Sequence, residues 1–371
     1  MWLFRLVSIL FMLPLIAYFY FYVVRSLRFW HVAVDQTWKK LLVLVLAALL
    51  CLFCTNIWSL GFILLLHCFA VSAVLDLLGL VLSRLPQIKK VWRPLYRCGF
   101  TAPLIVALLF GYGFYNIQHV VRQPYTIATQ KNIRDEGYTL AFLSDVHYGL
   151  TVDGDELQRY ANAIAEEQPD LVLLGGDIVD ESTTLEEMQQ VFSVLGQIPS
   201  AYGVYYIYGN HDRARYSSQP PFTEAQLRQA IEQAGITILQ DEALQVTDDL
   251  VLVGREDYSA APARARSAQL LTGVDQSDFI LMLDHQPRQL EENRDAGVDL
   301  QLSGHTHDGQ IWPVGLLSRW FNLNELTYGY EQLGSLQVIV SSGFAGWGYP
   351  IRTSGQSEYV MINIEKTASI Q

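Results

Sequence analysis

The sequence predicts an α/β domain, residues 119–371, preceded by a membrane domain, residues 1–118. Three observations carry this prediction. Uncharged apolar runs crowd the first third of the chain and then stop. Beyond them, apolar runs of strand length alternate with helical patterns. The charge changes sign at the same place. Residues 1–118 carry ten basic and two acidic side chains, net +8, whereas residues 119–371 carry 15 and 35, net −20.

The membrane domain is expected to hold four transmembrane helices. Residues 6–24, 41–75 and 98–117 carry no charge. A span needs roughly 20 apolar residues to cross about 30 Å of hydrocarbon, so the first and last runs fit one span each. The middle run, extended to Leu82, is about twice that length, and its only polar break, residues 55–59, predicts a tight helical hairpin. The first run lacks a small-residue cleavage site before Arg25, which argues for a retained anchor rather than a removed leader. Lys and Arg collect at residues 25–40 and 84–97 and are missing from the hairpin, which predicts a cytoplasmic face there. The N-terminus and everything after residue 118 then lie outside, in a multi-pass protein of the cell (inner) membrane. Arg5, Arg122, Lys131 and Arg134 weigh mildly against this orientation. All four cysteines lie in or beside the spans, so the outer domain has neither disulfides nor thiolate ligands.

In the outer domain, strands are expected at residues 125–129, 138–143, 171–174, 203–208, 279–283 and 298–302, with helices at 154–167, 184–195, 223–234 and 264–271. Residues 245–253, 337–340 and 359–364 read as strands without helices between all of them, which predicts a mixed sheet. Five strands end in residues that carry chemistry. They lead into Ser144-Asp145-Val146-His147, Gly175-Gly176-Asp177-Ile178-Val179-Asp180, Gly209-Asn210-His211-Asp212, Asp284-His285 and Ser303-Gly304-His305-Thr306-His307. The crevice past the carboxyl ends of strands is where open α/β sheets bind ligands. Of six histidines after residue 118, five stand at these tips. Single strand-end histidines are usually structural; five together point to a metal centre. Imidazole and carboxylate without thiolate suit Mn, Fe, Co or Zn rather than Ca or Mg. The ligands exceed the needs of one four-coordinate ion, so two divalent ions are expected. Such a pair clamps the attacking and leaving oxygens of a displacement at phosphorus and supplies the hydroxide nucleophile. It would also provide local positive charge in a domain whose acidity disfavours nucleic acid.

The ordered series D-x-H, G-D-x-x-D, G-N-H-D, a lone His and G-H-x-H resembles the calcineurin-like metallophosphoesterases over roughly residues 120–365. Within them the chain is most similar to the membrane-associated bacterial phosphohydrolases, through GHTHDGQ and the later Gly346-Trp347-Gly348-Tyr349-Pro350-Ile351-Arg352. The resemblance implies a two-sheet β-sandwich flanked by helices. It further implies that Asp145, His147 and His307 bind one metal, that Asn210, His285 and His305 bind the other, and that Asp177 bridges both. His211 would be the general acid or charge stabiliser at the leaving oxygen, oriented by Asp180. Glu181-Ser182 stands where protein phosphatases of the superfamily have Arg-Gly, and Asp212 where they have Glu. A phosphodiester or pyrophosphate is therefore expected rather than a phosphoprotein. The anchor suggests a membrane or cell-envelope substrate, including a lipid-linked phosphate or a nucleotide-sugar lipid A precursor. A non-catalytic metal-binding sensor is the alternative from another class, disfavoured by the unbroken motifs. A transporter would want broken helices, for which Gly111 and Gly113 are weak support.

Other residues carry two readings each. Arg352 could contact a substrate phosphate or be an ordinary arginine near a sheet end. Trp347 and Tyr349 line a pocket or pack a loop. Asp212 is expected to order its loop rather than to react. Asp76, in the third span, is expected near the interface, and His67 to make a hydrogen bond to another helix. Asp308 replaces the family's Gly, either because Asp tolerates a left-handed backbone or because its carboxylate holds His307.

Overall fold

The computed structural model describes residues 2–82, 84–260 and 263–367, with side chains described from residue 12 onward. The chain forms two compact units, Met1–Tyr112 and Gly113–Gln371.

Among the described residues, the elements of the first unit are helices: α1 (Trp2–Phe29), α2 (Thr37–Cys51), α3 (Leu60–Leu82), α4 (Pro86–Arg97) and most of α5 (Thr101–Ile117). Apolar residues on all sides make α2 and α3 helices for a membrane rather than for a one-faced core. With the short 3₁₀ turn that follows α2, Thr37–Thr55 and Leu60–Leu82 are long and apolar enough to cross a bilayer. The break between them falls at the polar residues expected to form the hairpin. In α1, the first side chains of the expected span lie outside the described residues. The expected fourth span divides differently. The basic segment read as a loop is α4, opened by Pro86 at its first position, where a missing N–H costs nothing. It meets α5 at a bend of 70°, so the pair makes at most one further span. Among the described residues, two helices are long and apolar enough to cross a membrane, or up to three spans if the bent pair is one. Inside this unit His67 bonds through Nδ1 to the Ile63 carbonyl one turn back (2.8 Å) and packs edge-on against Phe110.

The second unit contains two six-stranded sheets. The first contains β1 (Val120–Thr129), β2 (Tyr138–Leu143), β3 (Leu171–Leu174), β4 (Val204–Tyr206), β5 (Thr237–Ile238) and the last strand, β12 (Ser357–Lys366), in the order β1-β12-β2-β3-β4-β5. The second contains β6 (Glu242–Thr247), β7 (Leu250–Gly254), β8 (Phe279–Leu283), β9 (Leu300–Ser303), β10 (Gly329–Leu333) and β11 (Leu336–Val340), in the order β10-β11-β9-β8-β7-β6. Both sheets are mixed. β2, β3, β4 and β5 run parallel, as do β7, β8, β9 and β11, while β12 lies antiparallel to β2.

Period-two side-chain alternation explains why these strands read as unbroken apolar runs. Leu140 and Phe142 face inward and meet Leu281, Leu283, Leu300 and Leu302 of the other sheet in the sandwich core. Ala141 and Leu143 face outward onto α6 (Gly154–Glu166), α7 (Leu185–Leu195) and α8 (Glu224–Gln233), through Leu157, Phe192 and Leu227. The second sheet's outer face takes Val253, Ile280 and Val338 against α10 (Leu290–Ala296), which follows the short α9 (Ser267–Leu270). The β-sandwich flanked by helices is the architecture that the family resemblance implied.

The elements depart from expectation in two ways. Residues 245–253 are not one strand. Asp248 and Asp249 turn the chain into the antiparallel pair β6–β7, as expected of Asp-rich turns. The short α11 (Val314–Trp320) and the edge strands β5 and β10 have too weak a periodicity to be read from sequence.

A candidate dinuclear metal site at the strand ends

Five loops converge past the carboxyl ends of β2, β3, β4, β8 and β9. Two clusters result. In one, ligand atoms of Asp145, His147 and His307 all lie within 4.8 Å of one another; in the other, Asp177, His285 and His305 do the same. Close approach depends on glycine at two points. A Cβ on Gly304 would meet Asp145 Oδ2 at 2.1 Å, and one on Gly209 would meet Asp177 Oδ1 at 2.2 Å. The backbone is bent hard here. Asp145, His147, Asp177, His305 and His307 all have positive φ, between 42° and 70°. Non-glycine residues hold such angles only where the surroundings over-determine them, which is typical of functional sites.

The histidines are oriented by bonds at Nδ1. His285 bonds to the Gly175 carbonyl (2.9 Å), His307 to that of Ala345 (3.2 Å), and His147 to Asp180 Oδ2 (3.2 Å). This leaves Nε2 as the coordinating face, the arrangement usual around bound metals. His147 Nε2 and Asn210 Oδ1 are buried and make no hydrogen bond, and the buried His285 Nε2 faces only the Asp177 carboxylate. Buried polar atoms rarely stay unsatisfied, and all three atoms belong to residues predicted as ligands. The donor set therefore fits divalent cations. His285 Nε2 stands 3.0 Å from Asp177 Oδ2, and His307 Nε2 3.4 Å from Asp145 Oδ1, distances that a shared cation would explain.

The electrostatics agree. Burial works against ionisation of Asp145 and Asp177, yet the surrounding imidazoles hold both carboxyls below the usual range. Burial, reinforced by His285, pushes His305 down to about 4, and burial pushes His307 down to about 3. Both rings are thus neutral at neutral pH, as ligands must be. For His285 burial is outweighed by the Asp177 carboxylate, which raises its pKa; the same attraction for positive charge would serve a cation.

The structure corrects the partner predicted for His211. Its Nδ1 contacts Glu181 Oε2 at 2.9 Å, not Asp180. Asp180 is committed elsewhere: Oδ1 accepts from Ser182 N–H and its hydroxyl, and Oδ2 faces His147. The turn at 180–182 sends neighbouring carboxylates in different directions, and the longer Glu181 reaches His211. Burial would lower the His211 pKa, but Glu181 and the nearby aspartates raise it. The ring also packs beside Trp347 (4.7 Å between centroids) and Tyr216 (5.1 Å). The sequence carried no signal for Tyr216, and Glu181 stood out only as a departure from the family pattern.

Arg352 is a second correction. It is fully buried and so offers nothing to a substrate. Its guanidinium donates to the carbonyls of His307 (3.0 Å), Ser342 (3.0 Å) and Ala345 (2.6 Å). Gln310, the last residue of GHTHDGQ, clamps the same late segment. Its side chain donates to Tyr349 and Ile351 carbonyls and accepts from Trp347 N–H. Asn116 adds bonds to the Arg352 and Gly355 carbonyls. Asp212 orders two loops at once, accepting N–H groups from Asp177, Ile178, Val179 and Gly209. Asp284 faces away from the clusters, bonded to Arg264 at 3.0 Å.

Asp308 has the left-handed backbone that a glycine would adopt, φ 47° and ψ 31°, and its carboxylate pairs with Arg319 rather than His307. Asp308→Gly is therefore expected to leave the preference among divalent cations unchanged, with stability altered by no more than about 1 kcal/mol, since the Arg319 partner is half exposed. A changed metal preference would instead make the carboxylate a support of His307.

Residues 138–309 match the family described as calcineurin-like phosphoesterase. The second unit is a calcineurin-like phosphoesterase domain. An uncharacterized metallophosphoesterase of Helicobacter pylori is 30% identical over 235 residues, covering 62% of this chain and 60% of that one. A Danio rerio protein named transmembrane protein with metallophosphoesterase domain is 28% identical, covering 82% and 71%. An uncharacterized metallophosphoesterase of Campylobacter jejuni is 25% identical, covering 89% and 83%. The chain spans about 60% of the length of the Helicobacter relatives. In the phosphoesterase domain the strand-end motifs gather Asp145, His147 and His307 into one cluster and Asp177, His285 and His305 into another.

Proposed function

We propose that the phosphoesterase domain hydrolyses a phosphodiester or pyrophosphate bond using two divalent cations drawn from Mn, Fe, Zn or Co. The supporting observation is the pair of clusters, each gathering a carboxylate and two imidazoles within 4.8 Å. Asp145, His147 and His307 would hold one cation, Asn210, His285 and His305 the other, and Asp177 both. The cations would supply charge against the phosphoryl oxygens and a hydroxide nucleophile near neutral pH. His211 would give a proton to the leaving oxygen, and Glu181, in contact with its Nδ1, would keep that ring oriented and protonated. Asp180 supports His147 instead.

The apolar helices favour a substrate at a membrane or cell envelope, such as a lipid-linked phosphate, with the domain outside the cytoplasm of a multi-pass inner-membrane protein. The full chain with Mn²⁺ is expected to cleave bis-p-nitrophenyl phosphate and to lose that activity on chelation. Activity insensitive to chelation would reject the metal reading.

Glu181→Gln separates orientation of the acid from metal binding. A p-nitrophenolate leaves with little help, whereas an alkoxide needs a proton. The variant is expected to lose roughly 10²-fold in kcat on an alkyl diester and much less on the nitrophenyl ester. Equal losses on both substrates would remove Glu181 from proton donation.

A further inference from the structure

The membrane unit holds a basic cavity that the phosphodiester chemistry does not use. It measures about 520 Å³ and is lined by Arg25, Arg28, Arg97, Asp76 and aromatic rings that include Tyr18 and Tyr22. That volume is in the range of small-ligand sites. Three arginines face one carboxylate, so the walls carry excess positive charge. Asp76 is the carboxylate that stood out in the sequence as lying within a span. It pairs with Arg25 and accepts a hydrogen bond from the Tyr18 hydroxyl at 2.9 Å. The Arg25 guanidinium is further held over the Tyr22 and Tyr96 rings, each 5.2 Å from the centroid. Its Nε is nevertheless buried with no hydrogen-bond partner among the described residues.

A second cavity of about 530 Å³ shares Tyr18, Arg25 and Asp76 with the first and is otherwise mostly apolar, with Ala73, Leu77 and Leu80 on its walls. Leu77 and Leu80 are exposed, on a helix apolar enough to cross a bilayer. A cationic chamber and an apolar chamber thus meet at one fixed ion pair. Arginine forks match phosphate oxygens, and basic pockets between membrane helices take anionic headgroups.

We propose that these joined cavities bind an anionic phospholipid, with its phosphate against Arg25, Arg28 and Arg97 and its acyl chain along the Leu77–Leu80 side. An inorganic or soluble phosphate would find the same arginines but no use for the apolar chamber. The inference does not depend on the reaction proposed for the phosphoesterase domain.

The test uses the full chain in neutral detergent, with retained lipid counted by native mass spectrometry. Phosphatidylglycerol is expected to bind well above phosphatidylcholine. Arg28 and Arg97 are exposed, so the double variant Arg28→Gln/Arg97→Gln keeps its fold. It is expected to weaken phosphatidylglycerol binding by about 30-fold, as for the loss of two cations near a lipid phosphate, while hydrolysis of a soluble diester is unchanged. Arg93→Gln removes an exposed charge of the same helix that does not line the cavity, and should leave binding intact. Equal binding of the two lipids would overturn the proposal, as would an Arg93→Gln effect as large as that of the double variant. Displacement of phosphatidylglycerol by an equal concentration of inorganic phosphate would overturn the lipid assignment.

Discussion

Asp177→Asn is expected to lower turnover of bis-p-nitrophenyl phosphate by roughly 10³-fold, about 4 kcal/mol of transition-state stabilisation. The substitution changes charge and hardly any volume. Asp177 is buried with one oxygen 3.0 Å from His285 Nε2 and the other accepting the His211 N–H at 2.7 Å. An amide can keep that backbone bond through its oxygen but cannot neutralise two cations. Metal content measured on the purified full chain should fall from two ions per chain to one or none, with the thermal midpoint of the metal-free protein little changed. Wild-type turnover together with wild-type metal content would show that the bridging role belongs elsewhere.

Arg352→Met is expected to act mainly on stability. The buried guanidinium serves the carbonyls of His307, Ser342 and Ala345. Its loss takes a donor from each of these carbonyls, leaves that of Ser342 dry, and leaves the buried Glu358 without its nearby cation. Breaking such a set costs about 3–5 kcal/mol, which corresponds to a thermal midpoint lower by roughly 10 °C for a domain of this size. Activity should fall with it, because the His307 backbone loses its anchor. Arg352→Lys should recover only part, since a point charge cannot span three carbonyls in a plane. An unchanged midpoint with a raised KM would instead restore the substrate-contact reading that the sequence allowed.

Much of the fold was legible because the signals were strong and local. β2, β3 and β8 begin and end where their apolar runs do, with turn glycines or polar residues on either side. α7 and α8 carry Thr184 with Glu187 and Thr223 with Gln226, reciprocal caps that mark a helix start. The weaker elements were hidden for physical reasons. α4 has no buried residue, so its basic pattern looks like a loop. β5 spans only Thr237–Ile238 and is held by its neighbour rather than by propensity.

By itself, the sequence determined the chemistry available at the site. The strand-end positions of Asp145, His147, Asp177, Asn210, His285, His305 and His307 follow from local pattern, because a strand delivers whatever residue follows its last apolar position. Only the tertiary structure decided how those residues are paired. Asp180 and Glu181 are adjacent and chemically alike, yet one turns to His147 and the other to His211. Arg352 could stand on a surface or in a core, and the carbonyl of His307 from a distant loop, with those of Ser342 and Ala345 from its own late segment, places it in the core. Such choices depend on where separate loops converge, and that convergence is set by the packing of two sheets rather than by any short stretch of sequence.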